Sequence, residues 1–404
     1  METSTPNTGQ TDRAPHPPHV LILPKWWPNP DDPQLGDFLR KQAIAVAQRT
    51  RATVLYVRGD KSPGSDWRTS VSEERGLWEL HIHYPASDNP FTPWRKVLNF
   101  IRFRRAVVQG WRRIVNERGR PELTHAHIMV RPALVAFWLK QRFGIPFLVS
   151  EQSSEYLDGT FARKGRVHKG LVRFLMHRAG AISAVSAWLG DALVRFRLCE
   201  HYAVVPNVVP GLDRPLPPAG HPGNFLIVAD LVDRTKNVSG ALRALERARR
   251  VDPRIRLTVI GDGPDRRSLE ELVQELSLEE HVKFLGRLPN SGVLDHLGSE
   301  AAVIVNSNVE TFSVVTGEAL AQGKPVIATR CGGPIAFIND GNGILIEVGD
   351  ETALSQAMVE LSTNAAHYSP AAIRESVSSR FSPEAVGHAF VELYYRVIAD
   401  HHGK

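Results

Sequence analysis

The chain has 404 residues, 42% of them hydrophobic and 23% charged, with a net charge of +6. That length exceeds one ordinary core and the composition is that of a soluble globular protein, so two domains are expected. Two widely separated cysteines, Cys199 and Cys331, exclude a disulfide framework and fit a reducing, cytoplasmic compartment; no Cys/His spacing suits zinc, and the longest uncharged apolar run, around Pro132–Leu139, is far too short for a membrane span.

Residues 1–17 are polar and proline-rich, lack the apolar core of a signal peptide and are expected to form a disordered tail. From residue 18, short apolar runs alternate with helical patterns. HVLIL, ATVLYV, LTHAH, PFLVS and GAISAV read as strands of a first domain, residues 18–205. Within LTHAH, His125 and His127 are expected on opposite faces of the strand, one in a cleft and one in the core. The stretch VVPNVVPGLDRPLPPAGHPG, residues 204–223, is too rich in proline and glycine for a regular element, and a linker is placed at 206–223.

A second domain follows at 224–381. Its predicted strands are Phe225–Ala229, Arg256–Ile260, Val282–Leu285, Ala302–Val305, Pro325–Ala328 and Ile344–Glu347, with helices at Val238–Arg250, Arg266–Leu276 and Val314–Gln322. Such alternation implies βαβ units, parallel sheets and ligand sites at the carboxyl ends of strands. Residues 382–404 read as a last helix, with Ser382 as N-cap and Pro383 at its first position. No internal repeat is present.

Two stretches invite a site. LTVIGDGPDRRSLEEL, residues 257–272, is a strand, a glycine turn and a helix, but Gly261 and Gly263 lack a third glycine at dinucleotide spacing. A tight strand-to-helix turn accounts for it. In ETFSVVTGEALAQGKPVIATRCGG, residues 310–333, a buried strand ends in a loop before a helix that starts near Phe312 or Ser313. The free N–H groups of that helix suit a diphosphate, while Glu310 and Glu318 could each accept hydroxyls of a sugar or ribose. An ordinary loop with a capping glutamate and a solvated helix glutamate fits the same residues equally well.

Resemblance decides between the two. The Glu310-to-Glu318 stretch resembles the E-x7-E signature of the GT-B retaining glycosyltransferases of family 4. NFLIVADLVDRTKN, VIGDGP, HVKFLGRLP and DGNGILIEVGD resemble further motifs of that family's donor domain. PKWWPNPDDPQLGDFLRKQAIAVA, HAHIMVRPALVAFWLKQRFGIPFLVSEQ and SAVSAWLGDAL resemble parts of its front domain, so the likeness runs over roughly residues 18–400. It implies an α/β GT-B fold: two Rossmann-like domains with parallel sheets facing across a cleft, and a C-terminal helix crossing back to the N-terminal domain. It further implies transfer of a sugar, with retention, from a nucleotide-diphosphate sugar to a glycan or lipid-linked acceptor, without metal or cofactor.

By the same resemblance, Glu310 would meet the transferred sugar and Glu318 the ribose, while backbone at Ser313 and Val314 would bind the diphosphate. Lys236 would neutralise the leaving group, Gly36 would let backbone approach the donor, and Arg287 would pack near the base. Three positions depart from the pattern. Asp230 stands where an arginine is common, so Arg234 is expected to supply that charge. Ser313 replaces a common glycine. Gln152 stands where a histidine often meets the sugar; it can hydrogen-bond but cannot titrate near neutral pH. Two alternatives accompany this reading: an epimerase of the same fold, which the Glu310/Glu318 spacing argues against, and a non-catalytic nucleotide-sugar-binding protein, which Gln152 and Asp230 would suit.

Charge is divided unevenly. The first 200 residues carry 30 Lys and Arg against 18 Asp and Glu. Residues 94–120 hold nine basic residues and one glutamate on an amphipathic helical pattern, and residues 163–178 form a second basic run. A core-packed helix with a solvated arginine face explains the apolar stripe. The scarcity of acids favours an anionic membrane surface, with the chain peripheral on its inner face. Nucleic acid is not expected, because no motif for it is present.

Overall fold

The computed structural model describes residues 16–403 except 63, 365 and 366. Residues 1–15 of the expected tail lie outside the described residues. Strands β1 (His19–Pro24), β2 (Arg51–Asp60), β3 (Arg68–Glu74), β4 (Leu77–Pro85), β5 (Leu123–His127), β6 (Phe147–Glu151), β7 (Ala181–Ala184) and β8 (Ala203–Val204) form one sheet, ordered β3-β4-β2-β1-β5-β6-β7-β8. It is parallel except for the β3–β4 hairpin. Strands β9 (His221–Val228), β10 (Arg256–Ile260), β11 (Val282–Gly286), β12 (Glu300–Val305), β13 (Val326–Thr329) and β14 (Gly343–Ile346) form a second, all-parallel sheet, ordered β11-β10-β9-β12-β13-β14.

The inner strands are continuous apolar runs because both faces of each sheet are covered. In β1, Leu21 and Leu23 pack toward the helices Thr92–Arg118 and Arg131–Phe143. Val20 and Ile22 pack toward Asp37–Ala47 and the last helix, Pro383–His402. That last helix crosses back onto the first sheet: Phe390 and Tyr394 are buried in its core, and Gly387 is the close-approach point, where a Cβ would lie 2.5 Å from Ala45 O.

Two expectations need correction, and one element was not foreseen. Val204 belongs to β8 and His221–Gly223 open β9, so part of the proline-rich stretch 204–223 is strand; its edge and leading positions tolerate these residues. The β3–β4 hairpin was not foreseen. It turns at Arg75 and Gly76, both with positive φ (49° and 81°), the geometry of the primed two-residue turns that match strand twist. His125 and His127 do not lie on opposite faces. Side chains alternate with a period of two, so residues two apart share a face, and the two rings are 3.9 Å apart.

Both histidines are fully buried. Burial holds His125 well below the usual histidine pKa, with His127 adding to the effect, and burial brings His127 down to about 3. His125 Nδ1 lies 2.8 Å from the Tyr394 hydroxyl and its Nε2 lies 2.6 Å from Ser150 Oγ. Tyr394→Phe is expected to cost about 2 kcal/mol, because it strands a buried ring nitrogen. Urea unfolding followed by circular dichroism would measure the loss.

The carboxyl ends of the two sheets face each other. Ser186 Oγ, after β7, donates to Thr311 O, after β12, at 2.6 Å. Gln34 Nε2, in the loop after β1, donates to Leu288 O, after β11, at 2.8 Å.

Candidate active site

A cavity of about 430 Å³ opens between these facing ends. After β12 the chain loops through Glu310 into the helix Val314–Ala321. Backbone bonds pin that loop: Glu310 N donates to Cys331 O at 3.1 Å, and Gly333 N donates to Glu310 O at 2.9 Å. On the cavity wall the Glu310 carboxylate accepts Lys236 Nζ at 2.6 Å and Ser307 Oγ at 2.8 Å. Lys236 closes the short turn Asp233–Lys236 that follows β9. Burial alone would lower the pKa of its ammonium, but the Glu310 carboxylate more than offsets this, and the group stands above the usual lysine value.

Ser313 precedes the helix with φ 72° and ψ 80°, a left-handed geometry that favours glycine. Its Oγ bonds Thr316 Oγ1 at 2.8 Å instead of the helix backbone. The helix head therefore has no side-chain cap, and Ser313, Val314 and Val315 line the cavity. Free N–H groups and the positive end of the helix dipole favour an anion there.

Glu318 forms another part of the wall and is 3% exposed. It accepts Asn290 Nδ2 at 2.6 Å. Burial raises its pKa to about 7, against the opposing effects of Asn290 and Lys41. The native protein thus holds this proton more tightly than the unfolded chain does. The stability so contributed is complete below the ordinary value of 4.5 and is lost as pH rises through about 7. A hydroxyl-binding role needs the ionised form, so affinity for a ribose-bearing ligand is expected to rise about tenfold per pH unit below 7 and level off above it. Glu318→Gln should abolish that slope in titration calorimetry.

The remaining sequence-selected residues are placed unequally. Arg287 and Asp230 both line the cavity and pair at 3.1 Å. Arg234 is exposed on the Lys236 turn and is not part of the wall. Gly36 caps the helix Asp37–Ala47, which sends Asp37, Phe38 and Lys41 into the wall. The glycine itself packs on Trp26, where a Cβ would lie 2.6 Å from the carbonyl oxygen. Gln152 is also outside the wall: its Nε2 donates to Gln42 Oε1 at 2.9 Å, and its buried Oε1 has no partner.

Residues 214–376 match the family described as glycosyl transferases group 1, and residues 35–208 match the glycosyl transferase 4-like domain. The chain belongs to the GT-B glycosyltransferase family. Among relatives of this glycosyltransferase chain is the lipopolysaccharide core biosynthesis glycosyltransferase LpsD of Rhizobium meliloti, 29% identical over 46% of this chain and 55% of that protein. Another is the N-acetyl-alpha-D-glucosaminyl L-malate synthase of Bacillus anthracis, 36% identical over 36% of this chain and 38% of that protein. The chain thus spans about half or less of the length of these two relatives. In fold it is similar to the sucrose-phosphate synthase of Thermosynechococcus elongatus, with a TM-score of 0.74 and 19% identity over 95% of this chain and 100% of the other. It is also similar to HepE of Anabaena, solved with UDP and glucose, with a TM-score of 0.67 and 16% identity over 93% and 99%.

Reasoning from sequence did not find Asn290, Ser307, Glu151 or the Lys41/Asp37 pair of this GT-B chain. Ser307 had a usable signal, standing three residues before Glu310 at the end of a buried strand. Glu151 is fully buried and staples the loop after β6: its carboxylate accepts Gln152 N and Ser153 N at 2.9 Å and Met129 N at 3.2 Å. Burial raises its pKa against the pull of those bonds.

Proposed function

We propose that the chain is a retaining glycosyltransferase that moves a sugar from a nucleotide-diphosphate sugar to a glycan or lipid-linked acceptor. The observation that carries this is the shared wall of one cavity: the Lys236–Glu310 pair, the uncapped helix head at Ser313–Val315, and Glu318. The acceptor hydroxyl oxygen bonds to the anomeric carbon as the bond from that carbon to the β-phosphate oxygen breaks. The departing oxygen keeps the electron pair and receives the hydroxyl proton. Lys236 and the helix head offset its charge, and Glu310 stabilises the positive charge that develops on the sugar. Glu318 holds ribose hydroxyls, and Arg287, with Asp230, borders the base.

The HepE complex with UDP and glucose supports a uridine donor as the first to try, and LpsD supports a surface-glycan acceptor. No helix among the described residues is long and apolar enough to cross a membrane. Contact with the inner membrane face would therefore run through the basic surface of residues 94–120 and 163–178. The test is calorimetric titration with UDP-, GDP- and ADP-sugars, followed by proton NMR of the anomeric centre in the product. Absence of binding by every donor, or an inverted product, would defeat the proposal.

A further inference from the structure

The helix Thr92–Arg118 divides into two unlike halves. Its second half buries Ala106, Val107, Gly110, Trp111 and Ile114 in the core of the first lobe. Its first half leaves Trp94, Phe100 and Ile101 each more than half exposed. Core packing accounts for the second half only. Single exposed apolar residues need no explanation, but a contiguous set of aromatic and branched side chains on one helix does.

Of these, Phe100 borders a groove of about 640 Å³ between this helix and the helix Arg131–Phe143. Phe100, Phe103, Leu134 and Trp138 make its apolar walls, and Lys96, Arg104 and Arg131 stand among its lining residues with no acid. Phe103, Val107, Arg131 and Val135 also line a second cavity, of about 460 Å³, so the two spaces adjoin. The lining of this second cavity includes the basic residues Lys25, Arg131 and Lys164, together with His168, and a single acid, Glu155. His168 Nε2 is buried without a hydrogen-bond partner. Arg131 stands at the junction, its guanidinium 5.7 Å from the Phe103 ring centre.

Position relative to the donor cavity completes the picture. One loop, running from β1 to the helix Asp37–Ala47, serves both sites. Lys25 and Trp26 at its start, with Pro24 at the end of β1, line the basic pocket, and Gln34, with Asp37 at the head of the helix, lines the donor cavity. A ligand filling both spaces would place an anionic head in the pocket joined to the donor cavity by this loop and an apolar tail in the groove, which shares no lining residue with that cavity.

We propose that the front lobe binds a phosphorylated lipid as its acceptor, with the phosphate among Lys25, Arg131, Lys164 and His168 and the hydrocarbon chain in the groove walled by Phe100, Phe103, Leu134 and Trp138. This rests on the transferase reading for what the lipid receives, but on separate residues for how it is held. The complementarity is of charge and of polarity at once. A water-soluble glycan would leave the groove unused, and a free anion would leave the aromatic wall unused.

Titration of the full chain with farnesyl phosphate, farnesol and inorganic phosphate, without any sugar donor, tests the site independently of the donor proposal. Farnesyl phosphate is expected to saturate at one per chain, at least about tenfold tighter than either comparison ligand, because each of those supplies only half of the contacts. Arg131→Gln should weaken farnesyl phosphate and leave farnesol unchanged. Leu134→Trp should fill the groove and weaken both lipids; Phe100→Ser, at a position 63% exposed, is a second groove variant that leaves the core intact. Equal affinity for farnesyl phosphate and inorganic phosphate would overturn the proposal. So would groove variants that bind farnesyl phosphate as the parent does, or a dimer that sedimentation shows to dissociate in Leu134→Trp, which would assign the groove to a second copy of the chain.

Discussion

Replacing Lys236 with methionine is expected to lower the rate of sugar transfer by at least about 100-fold while the chain stays folded. Methionine keeps much of the apolar length and removes the charge. The ammonium stands 2.6 Å from Glu310 on the wall where the leaving diphosphate is expected, beside a helix head that supplies only partial charge. Removal of one well-placed group that stabilises developing negative charge commonly costs about 10²–10³ in rate, or about 2.7–4 kcal/mol. The Glu310 carboxylate keeps Ser307 but loses its cation, which should cost the fold about 1–3 kcal/mol. Glu310→Gln breaks the same ion pair while keeping the ammonium, so its loss of stability reports the pair without the loss of the leaving-group cation. Nucleoside diphosphate release and circular dichroism on the same samples report rate and fold. A Lys236→Met protein with near-parental kcat/KM would mean that the leaving-group charge is carried elsewhere.

Gly261→Ala is expected to destabilise the chain by at least about 3 kcal/mol. Gly261 directly follows β10 with φ 142°, and a Cβ there would lie 1.8 Å from Ala229 O. That oxygen belongs to backbone at the end of the neighbouring strand and cannot swing aside. Gly261 N donates to Gly286 O at 2.9 Å and Ala229 N donates to Ile260 O at 3.0 Å, so relief would have to move three adjacent strand ends. Backbone strain of about 1–3 kcal/mol adds to an overpacking cost of similar size. Gly64 offers a control, with φ 71° but open space around it, and its alanine variant should cost about 1 kcal/mol. A urea midpoint for Gly261→Ala that matches the control would remove the steric argument. Because Ala229 and Gly261 both line the cavity, ligand affinity should fall with stability in the first variant and not in the second.

The glycine turn at 261–263 illustrates what could be read in advance. Its motif was too sparse for a dinucleotide fingerprint, and a tight strand-to-helix turn is what β10, Gly261 and the helix Arg266–Glu275 form. The parallel strands were legible because burial on both faces leaves apolar runs such as HVLIL and RLTVI with little else to become. Strand β3, RTSVSEE, was not legible: every residue is exposed and only its pairing with β4 makes it a strand. For the candidate site, Glu310 and Glu318 were selected through a loop-and-helix argument joined to resemblance, and Lys236 through resemblance alone. The partners that orient them were not, because Asn290 and Ser307 arrive from other segments or point by backbone geometry alone. Gln152 and Arg234 were chosen by alignment of pattern, and pattern does not report that one amide is spent on Gln42 or that one guanidinium faces solvent.

The last helix sets the order in which the molecule can be completed. Phe390 and Tyr394 fill the hydrophobic interior of the first lobe, yet they are translated after every strand of the second sheet. The second sheet closes with β14 well before then, whereas the first, although synthesised earlier, must wait with an open face. Maturation is therefore expected to run backwards relative to translation, with the second lobe solid first and the first lobe finished by the helix Pro383–His402 that follows it. An expression fragment cut between the lobes would inherit that gap, exposing the seat of two aromatic rings.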